Sequence, residues 1–264
     1  MLDVSETEIV RRTSKAAPVP DPRLEVSALP CVPCAIRPLN ICGILLKPAN
    51  DAPPPLHAEP EWQVHKQVRA RHNICNIGDP MDRVYMICEG WAFRFVQLPD
   101  GRRQILSIVL PGDVFTATAP FKEKRRSSVQ ALTHVRYCGF SRETLRTRLA
   151  ASPEIFAAWA GLLVAETAET NELLVDLGCR SAEERIAHLI LSLRERLQRR
   201  GLARHEPIAF PLRQRLIADI AGLTPEHVSR VINLFRRAGL IEIGNGVLRI
   251  KDLAQLQHIG ELRV

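Results

Sequence analysis

Two groups of residues in this 264-residue chain have types and spacings suited to chemistry. The first is Glu226, Ser229 and Arg230, inside the stretch AGLTPEHVSRVINLFRRAGLIEI. A guanidinium donates bidentately to guanine, a carboxylate accepts from the cytosine amino group, and a hydroxyl contacts either kind of base edge. The second group is sulfur. Cys31 and Cys34 are separated by two residues, and Cys42 follows after seven more. Such spacing brings thiolates within reach of one metal or cluster and suits iron–sulfur or zinc.

The first group needs two crossing helices to present it, and the surrounding residues predict them. Ala218 is small where a second helix must pack closely, and Gly222 stands four residues on, where a tight turn favours positive φ. Thr224 is suited to cap the second helix and Pro225 to its first turn, where a missing N–H costs nothing. Val228 turns back into the same core. Glu226, Ser229 and Arg230 then occupy the N-terminal turns, the part of a recognition helix that enters a major groove. An ordinary helical hairpin would not need those polar residues on its outer face.

Charge supports a polyanionic partner. The net charge is +7 and the pI about 9.3. Residues 179–264 hold 15 Lys and Arg against 9 Asp and Glu, so this third carries most of the excess. All of its basic residues except Lys251 are arginine, the better partner for phosphate and guanine. No apolar run approaches the roughly 18 residues of a membrane span, and the first residues lack a signal-peptide core. The expected location is the cytoplasm, where seven cysteines read as thiols or metal ligands rather than structural disulfides.

Along the chain, residues 1–30 read as a flexible tail. Residues 31–62 form a cysteine-bearing segment that ends in the proline-rich connector 49–62. Residues 63–150 alternate short β-like runs with turn signals, which predicts a compact β-roll. A long helix follows over 151–178. Its apolar stripe, from Ile155 and Trp159 through Leu162 and Leu163, suggests dimerisation. Residues 179–264 open with a capping box at Ser181 and Glu184 and carry the helix pair. They then predict a hairpin around Gly244-Asn245-Gly246, the wing of a winged helix. The fold class expected is α+β: a jelly-roll sensory domain, a dimerisation helix and a winged helix-turn-helix.

These features resemble the CRP/FNR superfamily of bacterial transcription regulators. The motifs that carry the resemblance are GDP…VYMICEGWAF, DGRRQILSIVLPGDVF, SAEERIAHLI and TPEHVSR, and it covers the chain from about residue 31 to its end. FNR-type members read TTGAT half-sites through E-x-x-S-R. The resemblance therefore implies that Arg230 contacts guanine, Glu226 the opposite cytosine and Ser229 a thymine. A homodimer would bind a palindrome, with RNA polymerase as a further partner. The same branch, FnrN-like in its Cys-x2-Cys-x7-Cys spacing, implies a [4Fe–4S] cluster on Cys31, Cys34, Cys42 and Cys138. Oxygen attack on that cluster would weaken DNA binding.

Other readings remain open on the residues. A superfamily member without a cluster could respond to a cyclic nucleotide, but Asp113 stands where that pocket expects glutamate. Arg126-Ser127 also falls at a longer spacing, and Lys122, Lys124, Arg125 and Arg126 read as a solvated loop. His65 and His72 offer a haem reading. Cys179, beside Arg180, offers a thiol switch. Cys75 and Cys88 read as buried small hydrophobes. From another class, Cys31 and Cys34 could serve a thiol oxidoreductase, although they follow a tail rather than a strand–helix unit. No other enzyme motif occurs, and no enzymatic activity is expected.

Overall fold

The computed structural model describes residues 41–45, 63–203 and 207–260. The expected tail, Cys31, Cys34 and the proline-rich connector lie outside these residues. A short helix α1 (Ile41–Leu45) precedes seven strands that form two antiparallel sheets. One sheet has the order β1-β7-β3, from Gln63–Val68, Val135–Ser141 and Arg83–Glu89. The other has the order β2-β6-β4-β5, from Asn73–Cys75, Ser128–Ala131, Ala92–Gln97 and Arg103–Val109. Ile87, Ala92, Val109, Val129 and Val135 fill the space between them. Gly90 makes the β3–β4 turn at φ 81°, where a Cβ would fall 2.0 Å from the His134 carbonyl oxygen. Only glycine fits there.

The chain then turns helical through α2 (Arg142–Ala151) and α3 (Pro153–Cys179, 27 residues). Ser152 caps α3 by accepting from the Ile155 N–H at 3.3 Å, and Pro153 occupies its first turn. The expected dimerisation stripe is used differently. Ile155 and Trp159 are buried against the protein's own Leu145, Leu149, Met81 and Val84, with Leu162 and Leu163 partly covered. The apolar residues left to solvent on α3 are Phe156, Val164 and Leu174. The start of α3 is apolar on several sides, and the roll claims one of them.

Helix α4 (Ala182–Arg199) opens with the expected capping box and buries Ile186, Ala187, Ile190, Leu193 and Leu197 along one stripe. It packs with α5 (Gln214–Ala221), α6 (Pro225–Arg237) and α7 (Leu253–Gly260). Strands β9 (Ile241–Gly244) and β10 (Val247–Ile250) form the wing, turning through Asn245 and Gly246 at φ 52° and 76°. A short strand β8 (Ile208–Ala209), absent from the sequence reading, completes the sheet in the order β8-β10-β9. Trp91, Phe93, Phe95, Ile105 and Ile108 of the roll belong to one buried cluster with Ile186, Ile190, Ile217, Val228 and Phe235. The two domains thus share a core. Among the described residues, no single helix is long and apolar enough to cross a membrane.

Candidate nucleic-acid interface and sulfur cluster

Helix α5 buries Ile217, Ala218 and Ala221 and ends on Gly222, left-handed at φ 64°. The Leu223 N–H returns to the Ala218 carbonyl at 3.1 Å, which closes the turn tightly. Thr224 then caps α6, accepting from the His227 N–H at 3.2 Å, with Pro225 in the first turn. Val228, Val231, Ile232 and Phe235 bury one face of α6 at helical spacing. Packing that face leaves Glu226 and Arg230 exposed and Ser229 half-buried. All three fall in the first two turns.

The Glu226 carboxyl is held below the usual carboxylate range. Its own backbone N–H contributes most, then the Thr224 side chain, and the nearby Arg230 charge adds to both. It therefore remains an acceptor at neutral pH, as a contact to a cytosine amino group requires.

Contacts that the sequence reading missed fix this helix pair against the rest of the chain. Arg185 donates to the carbonyls of Leu177, Arg180 and Ala221, at 3.0, 2.9 and 3.0 Å. One guanidinium thus ties the end of α3, the junction after it and the end of α5. Asp176 on α3 accepts from His188 at 2.9 Å and pairs with Arg180 at 2.8 Å. On the roll side, Arg103 of β5 pairs with Asp219 of α5 (Nε to Oδ2, 2.9 Å), and its guanidinium lies over the Phe93 and Phe95 rings. Gln104 donates to the Ile220 carbonyl at 3.0 Å. The two roll-side contacts join residues 116 apart in sequence, so no local pattern announces them.

Of the four expected cluster ligands, the structure brings two together. Cys42 on α1 and Cys138 on β7 are buried with Met86 and Phe140, and Cys42 Sγ lies 3.8 Å from Met86 Sδ. Cys88 is half-buried and packs against this group. The donor chemistry is soft and enclosed, which suits thiolate ligation of iron and sulfide. Among the described residues no three Cys, His, Asp or Glu side chains converge to hold a metal, so completing the set calls on Cys31 and Cys34 outside them. The opposite face of α1, Ile41 and Leu45, packs in the cluster containing Leu145, Leu149, Ile155 and Trp159. Arg148 donates to the Leu45 carbonyl.

The remaining candidates separate. Cys75 is buried beside Tyr85 and Tyr137, and burial pushes its thiol up, partly offset by Arg125. Cys179 is exposed at the end of α3. His65 pairs across from Cys138 in the β1–β7 register, whereas His72 is exposed in the turn before β2. Asp113 does not face the roll interior as a pocket acid would. It pairs with Arg196 of α4 and with Arg200, the residue that caps that helix at its C-terminus, and accepts from the Leu110 N–H. Arg125 corrects the expectation of a solvated loop. It is 5% exposed, with its guanidinium over the Tyr85 ring at 5.3 Å and its Nε without a hydrogen-bond partner among the described residues.

A roll joined by a long helix to a winged helix-turn-helix, with Glu226 and Arg230 exposed on its second helix, is the architecture of a DNA-binding protein. Comparison with known proteins agrees. Residues 184–259 match the Crp-like helix-turn-helix domain and residues 65–152 the cyclic nucleotide-binding domain. The transcriptional activatory protein AadR of Rhodopseudomonas palustris is 33% identical over 83% of this chain and 88% of its own. The nitrogen fixation regulation protein FixK of Bradyrhizobium diazoefficiens is 30% identical over 87% and 93%. The structure of FixK2 from Bradyrhizobium japonicum shares the fold with a TM-score of 0.70, at 24% identity, over 76% of this chain and 99% of that one. The chain belongs to the CRP/FNR family and is a DNA-binding transcriptional regulator.

Proposed function

We propose that the protein is a cytoplasmic, oxygen- or redox-responsive regulator that binds palindromic TTGAT-N4-ATCAA-like sites as a homodimer and acts with RNA polymerase. In this reading Arg230 contacts guanine, Glu226 the opposite cytosine and Ser229 a thymine, in keeping with their place on α6. Phe156, Val164 and Leu174, exposed along α3, support a dimer surface there.

The observation that carries the sensing half is the burial of Cys42 and Cys138 in one sulfur-rich group behind the start of α3. Cys31, Cys34, Cys42 and Cys138 would hold a [4Fe–4S] cluster, which supplies a redox-active centre when bound. The protein's own residues transmit its state. Holding Cys42 against β7 fixes α1, and α1 buttresses Ile155 and Trp159 at the root of α3. Releasing Cys42 removes that support and shifts the population away from the dimer-competent arrangement.

Anaerobic purification with iron and sulfide assays tests this. About four irons and four sulfides per chain are expected for [4Fe–4S], with a visible absorbance that air bleaches. Cys138→Ala should keep the fold and lose the iron. A full iron complement in that variant overturns the ligand set, and colourless anaerobic protein overturns the cluster.

Arg125 supports a second reading. Among the described residues it has no acidic partner, and a buried cation so placed is unfavourable until an anion joins it, which suits a phosphate-bearing effector such as a cyclic nucleotide inside the roll. Calorimetric titration with cyclic nucleotides checks it, and heat that persists unchanged in Arg125→Met would eliminate Arg125 as the contact.

A further inference from the structure

Four of the six residues in the group beneath α1 carry sulfur: Cys42, Met86, Cys138 and, half-buried at its edge, Cys88. Phe140 and Val114 complete it. The adjoining cluster of ten buried residues around Trp159 holds one sulfur, that of Met81. Filling volume alone does not call for such a concentration. The backbone sets the donors together. Met86 and Cys138 pair across the β3–β7 ladder, so their side chains stand on one face of the sheet with Cβ atoms about 5 Å apart. Helix α1 adds Cys42, whose thiol is directed at Met86 Sδ across 3.8 Å. Among the described residues no disulfide ties these thiols.

We propose that Cys42, Cys138 and Met86 form a site for one soft monovalent cation, Cu(I), with Cys88 at its mouth. Thiolate and thioether donors together select Cu(I) over harder cations. Metal–sulfur bonds of about 2.3 Å in a trigonal plane set neighbouring sulfurs about 4 Å apart. Cys42 and Met86 already stand at nearly that separation, and the cation takes the place of the proton between them. Zinc needs a fourth donor, and among the described residues no three Cys, His, Asp or Glu side chains converge to supply a set. Binding releases the protons of Cys42 and Cys138 to solvent and transfers no electron. Phe140 and Val114 keep water from the metal, and half-exposed Cys88 offers an incoming cation its first sulfur. The site shares Cys42 and Cys138 with the proposed cluster, so copper and cluster exclude each other, yet it needs neither Cys31 nor Cys34.

Anaerobic titration of the iron-free full-length protein with Cu(I), against bathocuproine disulfonate as competing chelator, tests the proposal. About one Cu(I) per chain should be retained, with X-ray absorption showing sulfur scatterers alone at about 2.3 Å. Met86→Leu conserves volume, so the core stays packed. It should weaken Cu(I) binding by about tenfold or more, since removing even an outer-shell partner costs a metal site that much. Cys31→Ser with Cys34→Ser removes two of the expected cluster ligands and should leave Cu(I) affinity unchanged.

Loss of Cu(I) in that double variant places the metal on the Cys-x2-Cys pair and overturns the site. Equal affinity in Met86→Leu and wild type, or nitrogen or oxygen scatterers at the metal, overturns it as well. The iron assay reads the cluster and the chelator competition reads this site, so either can fail alone.

Discussion

The ion pair between Arg103 and Asp219 should couple the roll to the helix-turn-helix measurably. Each side chain is 21% exposed, so both charges are largely withdrawn from water. At 2.9 Å and an effective dielectric of about 20, the gross attraction is about 6 kcal/mol. Desolvation of both charges, added to the roughly 2 kcal/mol of rotamer freedom lost by a long arginine, offsets most of it and leaves about 2 kcal/mol. Stacking of the guanidinium on Phe93 and Phe95 belongs to the arginine alone and returns about 1 kcal/mol. We therefore expect Arg103→Ala to cost about 3 kcal/mol and Asp219→Ala about 2 kcal/mol, with a coupling of about 2 kcal/mol in the double-mutant cycle. Denaturant unfolding of the four proteins, followed by tryptophan fluorescence, measures all three values. Strictly additive losses, with a coupling below about 0.3 kcal/mol, would show that the pair does not act as a unit.

Arg230→Ala should weaken binding to a TTGAT-type duplex by about 1–3 kcal/mol and relax selectivity at the guanine. An equal loss on scrambled DNA would mean that Arg230 touches phosphate alone. Gly222→Ala should destabilise the protein by about 1–2 kcal/mol, because φ 64° disfavours a Cβ and that carbon meets Leu177 Cδ2 at 2.9 Å. A thermal midpoint equal to wild type would contradict the left-handed turn. Thr224→Val removes one of the bonds that hold the Glu226 carboxyl down, so its pKa should rise in an NMR titration. A depressed carboxylate contributes stability that is present above its unfolded pKa and lost as pH falls through its folded value. The variant should accordingly lose less stability on acidification than wild type does.

The elements governed by local rules were legible in the sequence. Gly222, Thr224 and Pro225 each do what their backbone chemistry dictates, and the Ser181–Glu184 box and the Asn245-Gly246 turn form where expected. What escaped depends on partners distant in sequence. The start of α3 has apolar residues on more than one face, and only the docked roll decides that Ile155 and Trp159 turn inward while Phe156 stays out. Arg125 sits in a run of charges that looks solvated, yet its backbone is tied to Asp79 and Gly78, which carries its side chain onto Tyr85. For the sulfur group, spacing pointed to Cys31, Cys34 and Cys42 and the family resemblance to Cys138 as expected ligands, and the structure adds that Cys42 and Cys138 lie in one buried group.

The apolar seam between roll and winged helix bears on the calorimetry of DNA binding. If the DNA-binding domain had to swing away from the roll to reach the groove, Trp91, Phe93, Phe95 and Ile108 would meet water at that moment. Hydrating apolar surface raises heat capacity, whereas forming a protein–DNA contact that buries it lowers heat capacity. A protein that binds with its seam closed should show an enthalpy that becomes steadily more favourable on warming. One that must part the seam should show a much flatter dependence, as the two contributions cancel. The slope of binding enthalpy with temperature thus reports whether this molecule meets DNA as one body or as two.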